Sequence, residues 1–277
     1  YLKSRGYNAS NPWASHANAG VVDGEIASGW MFQNADLPAN IREEDSETPW
    51  LTSETIRFIE QAKEPWCAHV SYIKPHWPYI VPAPYHNMFG PDHVPAANRH
   101  DIERDNPQPV YGAFMGNKVS QAFQREDARQ KVIPAYMGLI KQCDDQLGLL
   151  LDYLDETGQI DNTMIVITAD HGDYLGDHWL GEKNLFHEPS VKVPMIIYDP
   201  RAAANETRGT TSDALVESID LAATFIEVAG GKVPGHIVEG RSLVPFLHGE
   251  SPDWRDYVIS EYDYSATPQG DKLGLEP

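Results

Sequence analysis

Residues 163–183, TMIVITADHGDYLGDHWLGEK, hold the densest group of reactive side-chain types in the chain. An apolar, β-branched run at 164–170 leads straight into Asp170-His171-Gly172-Asp173. A carboxylate beside an imidazole offers two ligands to a divalent metal. Gly172 lets the backbone turn sharply, and Asp173 can cap a following turn. Lys183 comes twelve residues after His171, beyond Gly176 and Gly181. A lysine returned by such a loop is a point charge for an anionic substrate. A second group is KPHWPY at 74–79. His76 lies in a proline-stiffened loop, where its imidazole can donate to a leaving-group oxygen. Lys74 is a second anion contact or, equally, a solvated lysine. A lone Asp-His pair reads more readily as a loop cap and a surface histidine; its surroundings decide otherwise.

These residues need elements to position them. MIVITAD (164–170) and VPMIIYD (193–199) read as short strands of the kind fully buried at the centre of a sheet. In open α/β sheets ligands bind beyond the carboxyl ends of strands, which delivers Asp170 and His171 to such an edge. WCAHVSYI (66–73) reads as a strand entering the His76 loop, and YVISEY (257–262) as one in a small separate sheet. A helix over about 52–63 has Thr52 or Ser53 as N-cap. The clearest helix carries Val132, Tyr136, Ile140, Cys143, Leu147, Leu150, Leu151 and Leu154 at three- and four-residue steps. Pro134 places its start nearby, and Gly158 stops it. Cys143 lies on the stripe and reads as a buried small hydrophobe rather than a nucleophile. A further helix spans about 220–229 and ends on Gly230-Gly231. Residues 87–125 lack a period and read as an irregular packed insertion in preference to a lid. Strands alternating with helices indicate an α/β layered fold.

Composition sets the limits. The chain has 277 residues, 41 acidic against 21 basic, for a net charge of −20. Such a chain repels phosphates, which excludes a general nucleic-acid binder. Two cysteines give no disulfide framework. No apolar run approaches the ~18 residues of a membrane-spanning helix.

Four segments carry a family resemblance. ITADHGDYLGDHWLGEKNLFHEPSVKVPMIIYDP (167–200) resembles the metal-binding and lysine region of the sulfatases, in the alkaline phosphatase superfamily. It is most similar to the phosphonate monoester hydrolase and phosphodiesterase branch. SYIKPHWPYIVPAPYHNMF (71–89) resembles the Pro-His-x-Pro segment of the same group. SIDLAATFIEVAG (218–230) and GRSLVPFLHGE (240–250) resemble its later Asp-Leu-x-x-Thr and Gly-x-Ser-Leu segments.

The resemblance implies an alkaline-phosphatase-like central mixed sheet flanked by helices. Residues 1–235 would be part of the catalytic domain, and 236–277 the start of a small C-terminal sheet subdomain. Asp170 and His171 match the two later metal ligands, for Ca²⁺ or Mn²⁺. Lys183 matches the lysine on the sulfuryl or phosphoryl oxygens, and His76 the histidine at the transferred or leaving group. Lys74 has no general counterpart. Asp173, Asp177, His178 and His187 read as supporting residues. The family nucleophile is a formylglycine made in a Cys/Ser-x-Pro-x-Arg motif. Cys67 and Cys143 do not fit that motif, and no serine heads a matching pentapeptide. The expectation is that nucleophile and early metal ligand lie upstream of Tyr1, and that these 277 residues alone are inactive. The resemblance also implies a small anionic ester substrate and a homo-oligomer, in the cytoplasm or periplasm according to any upstream signal peptide. An aryl- or choline-type sulfatase is the alternative substrate class, and a pseudoenzyme domain the alternative of another kind. Asn8-Ala-Ser10 and Asn205-Glu-Thr207 fit the glycosylation acceptor pattern.

Overall fold

Strand β1 (Ala19–Val22) pairs antiparallel with β2 (Glu25–Ser28), Val22 facing Glu25 across a two-residue loop. Asp23 and Gly24 both have positive φ, 52° and 84°. A type I′ turn demands this of both central residues. The computed structural model describes residues 1–276. It divides into one unit of residues 1–156 with 173–182, and a second of 157–172 with 183–277.

The first unit also holds α1 (Glu47–Gln61), α2 (Pro109–Met115), α3 (Lys118–Phe123) and α4 (Glu126–Glu156). Helix α1 begins five residues before the expected start. Pro49 caused the difference: a proline is tolerated in the first helical turn, where its missing N–H has no partner to lose. Thr52 is no cap; its hydroxyl donates to the Thr48 carbonyl at 3.2 Å, and that of Ser53 to Pro49 at 3.0 Å. Helix α4 likewise runs through Pro134 rather than starting there. Ala128, Arg129, Val132 and Ile133 are buried ahead of the proline. Their burial offsets the roughly 3 kcal/mol that an internal proline costs. Gly158, at φ 68°, takes the left-handed conformation just past the helix end. Gln142 on α4 donates to Glu43 at 3.0 Å and to Ser46 at 2.9 Å, locking the approach to α1.

The insertion at 87–125 is packed, as expected. Phe114 and Phe123 are buried, and Phe123 joins Ala35, Tyr79, Val132 and Ala135 in the main core cluster. Residues 66–73, in contrast, are not a strand. They form no ladder among the described residues, and Cys67, Ala68, His69, Ser71 and Ile73 are exposed. β-propensity alone does not make a strand without a partner.

The second unit contains β3 (Ile165–Thr168), α5 (Glu188–Val191), β4 (Met195–Tyr198), α6 (Ile219–Val228), α7 (Val244–Leu247) and α8 (Pro268–Leu273). β3 and β4 pair antiparallel, Ile165 with Tyr198 and Thr168 with Met195. The expectation of buried strands fails here. Each has one neighbour among the described residues, and Ile196 is 59% exposed. Residues 257–262 are exposed and form no strand. α6 matches its expected span, and Gly230 follows it at φ 76°.

Two segments that resembled family motifs hold each other in this unit. Asp220 is fully buried and accepts the Arg241 and Glu217 N–H groups at 2.8 and 2.7 Å, together with the Arg255 guanidinium. Thr224 accepts the Leu243 N–H at 2.9 Å. Gly240 is required there, since a Cβ would lie 2.1 Å from the Ile219 carbonyl oxygen. No helix among the described residues is long and apolar enough to cross a membrane.

Candidate active site

In the second unit, β3 ends at Thr168, and Asp170 follows on an exposed turn. Asp170 Oδ1 accepts the His171 backbone N–H at 2.9 Å, and its Oδ2 lies 3.5 Å from His171 Nε2. His171 Nδ1 is 2.8 Å from the Gly172 carbonyl oxygen. A carbonyl only accepts, so Nδ1 donates there, and in the neutral ring Nε2 carries the lone pair. A backbone carbonyl on the far ring nitrogen is the usual support of a metal-ligating histidine. The lone-pair nitrogen and a carboxylate oxygen are thus side by side, the donor chemistry one flank of a divalent-metal shell needs. The residues fit a metal on that flank. Among the described residues no group of three or more His, Cys, Asp or Glu is arranged around one point.

Lys183 belongs to the same unit, and Ser190 joins it to the pair. The Ser190 carbonyl accepts the Gly172 N–H at 2.7 Å, and its hydroxyl donates to the Lys183 carbonyl. The approach at Gly172 is close: a Cβ there would stand 2.0 Å from the Pro189 carbonyl oxygen. Gly172 is therefore needed for contact rather than only for a sharp turn. Gly172, next to the pair, and the main chain of Lys183 are thus tied to the same residue.

Lys74 and His76 sit together in the first unit. The His76 N–H donates to Ile73 O at 3.0 Å, closing a turn, and His76 Nδ1 is 2.7 Å from the Trp77 carbonyl oxygen. The Lys74 ammonium donates to the Pro78 carbonyl at 2.8 Å and to Asn18 Oδ1 at 3.2 Å. Burial pulls its pKa down to about 8, against the upward pull of Glu47. Cys143 donates to the Lys74 carbonyl at 3.3 Å, and burial pushes its thiol up to about 11, so it is inert at neutral pH.

The segment between the metal pair and Lys183 is strapped down within the first unit. Leu175, His178, Trp179 and Glu182 have positive φ of 46°, 52°, 63° and 61°. Non-glycine residues hold this conformation only where surrounding bonds over-determine it. Arg129 donates to Leu175 O at 3.1 Å, Asn98 O accepts the His178 N–H at 2.9 Å, and Trp179 Nε1 donates to His100 O at 2.9 Å. The insertion and the start of α4 thus supply the brace. Tyr79 is buried and donates to Asp173 Oδ2 at 2.5 Å; burial and that carboxylate raise its pKa far above the ordinary phenol value. Asp173, Asp177 and His178 make structural contacts, with Asp177 accepting the Asn98 N–H at 2.9 Å and His178 Nδ1 3.0 Å from Glu103. Sequence reasoning passed over Ser190, Asn18 and Tyr79. A buried serine just ahead of a strand carries no periodic signal, and its partners are distant in the chain.

The comparisons agree with this fold. The sulfatase family model matches residues 1–231. The multifunctional alkaline phosphatase superfamily protein PehA of Trinickia caryophylli is 35% identical over 243 residues, 83% of this chain and 47% of that protein. An arylsulfatase of Clostridium perfringens is 30% identical over 256 residues, 89% of this chain and 50% of that protein. The structure of a phosphonate monoester hydrolase from Silicibacter pomeroyi superposes with a TM-score of 0.83 at 32% identity, over 100% of this chain and 55% of that one. The chain spans about half the length of the curated relatives it matches. The fold is the alkaline-phosphatase-like α/β fold expected from the motifs. With a family model that covers most of its length, the chain belongs to the sulfatase family of the alkaline phosphatase superfamily.

Proposed function

We propose that the protein carrying this chain is a metal-dependent hydrolase of phosphonate monoesters and phosphodiesters. The observation that carries the substrate class is the match of the whole chain, at a TM-score of 0.83, to a phosphonate monoester hydrolase. Asp170 and His171 would hold one flank of a Mn²⁺ or Ca²⁺ ion, the imidazole favouring Mn²⁺. When bound, that ion would supply Lewis-acid polarisation of a substrate oxygen. The Lys183 ammonium offsets negative charge on the equatorial oxygens of the transferred group. His76 gives a proton to the leaving-group oxygen. Its Nδ1 proton is held by the Trp77 carbonyl, so the proton that leaves is on Nε2 of the imidazolium. Lys74 is the weaker anion contact, since its ammonium already donates to Asn18 and Pro78.

The nucleophile is a formylglycine outside the 277 residues, none of which lies in a Cys/Ser-x-Pro-x-Arg motif. The 277-residue chain by itself is then inactive. The substrate is a small anionic ester, and the net charge of −20 leaves these few cationic groups to attract it. The protein works as a homo-oligomer. A second reading, an arylsulfatase, is favoured by the relative of that activity, which matches 89% of the chain.

The test is kcat/KM of the full-length protein, chelated and then restored with Mn²⁺, on an aryl phosphonate monoester, an aryl phosphodiester and an aryl sulfate. The phosphorus esters should lead. A faster sulfate would replace the first reading with the second. Turnover by the 277-residue chain alone would overturn the placement of the nucleophile.

A further inference from the structure

We propose that Ser190 is a positioning residue that sets Lys183 relative to the Asp170–His171 pair. This rests on the role proposed above for Lys183. Ser190 faces both partners at once: its backbone carbonyl takes the Gly172 N–H at 2.7 Å, and its hydroxyl donates to the Lys183 carbonyl. It is 3% exposed, so water cannot readily replace either bond. Two further observations hold the serine in place. Its N–H donates to the His187 carbonyl at 2.9 Å, and the preceding Pro189 carbonyl meets Gly172 so closely that no side chain fits between them. Gly172, which follows the metal pair, and the main chain of Lys183 meet this residue in different ways, one at its main chain and one at its side chain.

That division makes the role separable. An alanine at 190 keeps the carbonyl and therefore the Gly172 bond, but it releases the main chain of Lys183. A loosened lysine contributes less to a charge that develops only at one point, because misplacement of about 1 Å is felt strongly in catalysis.

The experiment compares the full-length wild type with Ser190→Ala, Lys183→Ala and the double variant, measuring kcat, KM and the Mn²⁺ Kd by equilibrium dialysis. Ser190→Ala should lower kcat/KM on the order of ten-fold while the Mn²⁺ Kd stays within about two-fold. It should add nothing in the Lys183→Ala background. Ser190→Cys keeps the size and loses most of the donation; it should show the same split, and it serves if the alanine variant does not fold. If Lys183→Ala is severely impaired and both Ser190 variants match the wild type, the inference fails and the role of Lys183 stands. If Lys183→Ala is itself near wild type, the role of Lys183 fails. Loss of Mn²⁺ affinity in step with activity, additive with Lys183→Ala, would mean a general structural role and would also overturn the inference.

Discussion

Lys74 offers a titration that can be worked through from its surroundings. Its ammonium donates to two neutral oxygens, Asn18 Oδ1 and the Pro78 carbonyl, and burial lowers its pKa from 10.5 to about 8. An unfolded lysine keeps the ordinary value, so between these two pH values the unfolded state binds the extra proton. Stability must then rise with pH across the window, and the cost of the buried charge is fully present below about pH 8. At about 1.36 kcal/mol per unit of pKa, the full cost is roughly 3 kcal/mol. About 2 kcal/mol of it is recovered between about pH 7 and about pH 9.5. Lys74→Met removes the charge and keeps much of the packing. Urea unfolding of the metal-free full-length protein should show the methionine variant gaining most at pH 7. That advantage should shrink by about 2 kcal/mol at pH 9.5. Partly buried tyrosines such as Tyr136, raised to about 12, push the other way, but they are common to both proteins and cancel in the difference. A difference that stays constant with pH would refute the buried, charged state assigned to this amine.

Three further outcomes follow from single contacts. Lys183→Ala should reduce kcat/KM on the order of 10²-fold or more with metal content unchanged, as for loss of an oxyanion-stabilising group; a wild-type rate would remove its role. Gly172→Ala places a Cβ 2.0 Å from the Pro189 carbonyl oxygen and breaks the bond to Ser190. Mn²⁺ binding should weaken about 10- to 100-fold, as it should in His171→Ala, and dialysis with unchanged Kd would contradict the fit. Asp220→Ala strands two N–H groups and takes one of two carboxylates from the Arg255 guanidinium, which keeps Glu217 at 2.9 Å. It should cost about 2–3 kcal/mol, read as a lower urea midpoint; a loss under about 1 kcal/mol would show that water satisfies the two N–H groups.

Some of the molecule was legible in order of residues alone. The stripe from Val132 to Leu154 specifies a helix, because apolar side chains at a period near 3.6 can be buried only on a helical face. Gly158 and Gly230 mark real helix ends, since both adopt positive φ that other residues avoid. The β-branched run before Asp170-His171 specifies a strand, and β3 ends two residues ahead of the pair. Local steric and chemical rules suffice for each of these.

Tertiary structure decided the rest, because the deciding partners are far apart in the chain. Pro134 looked like a helix start, and only the burial of the turn before it keeps α4 continuous. Residues 66–73 have strand composition, but a strand exists only where a neighbour accepts its hydrogen bonds. Gly172 reads as a sharp turn and Gly240 only as part of a motif, and both prove to be close contacts with carbonyl oxygens 17 and 21 residues away. Ser190 had no signal at all. Its carbonyl and hydroxyl gain meaning only when folding brings Gly172 and Lys183 to opposite sides of one residue.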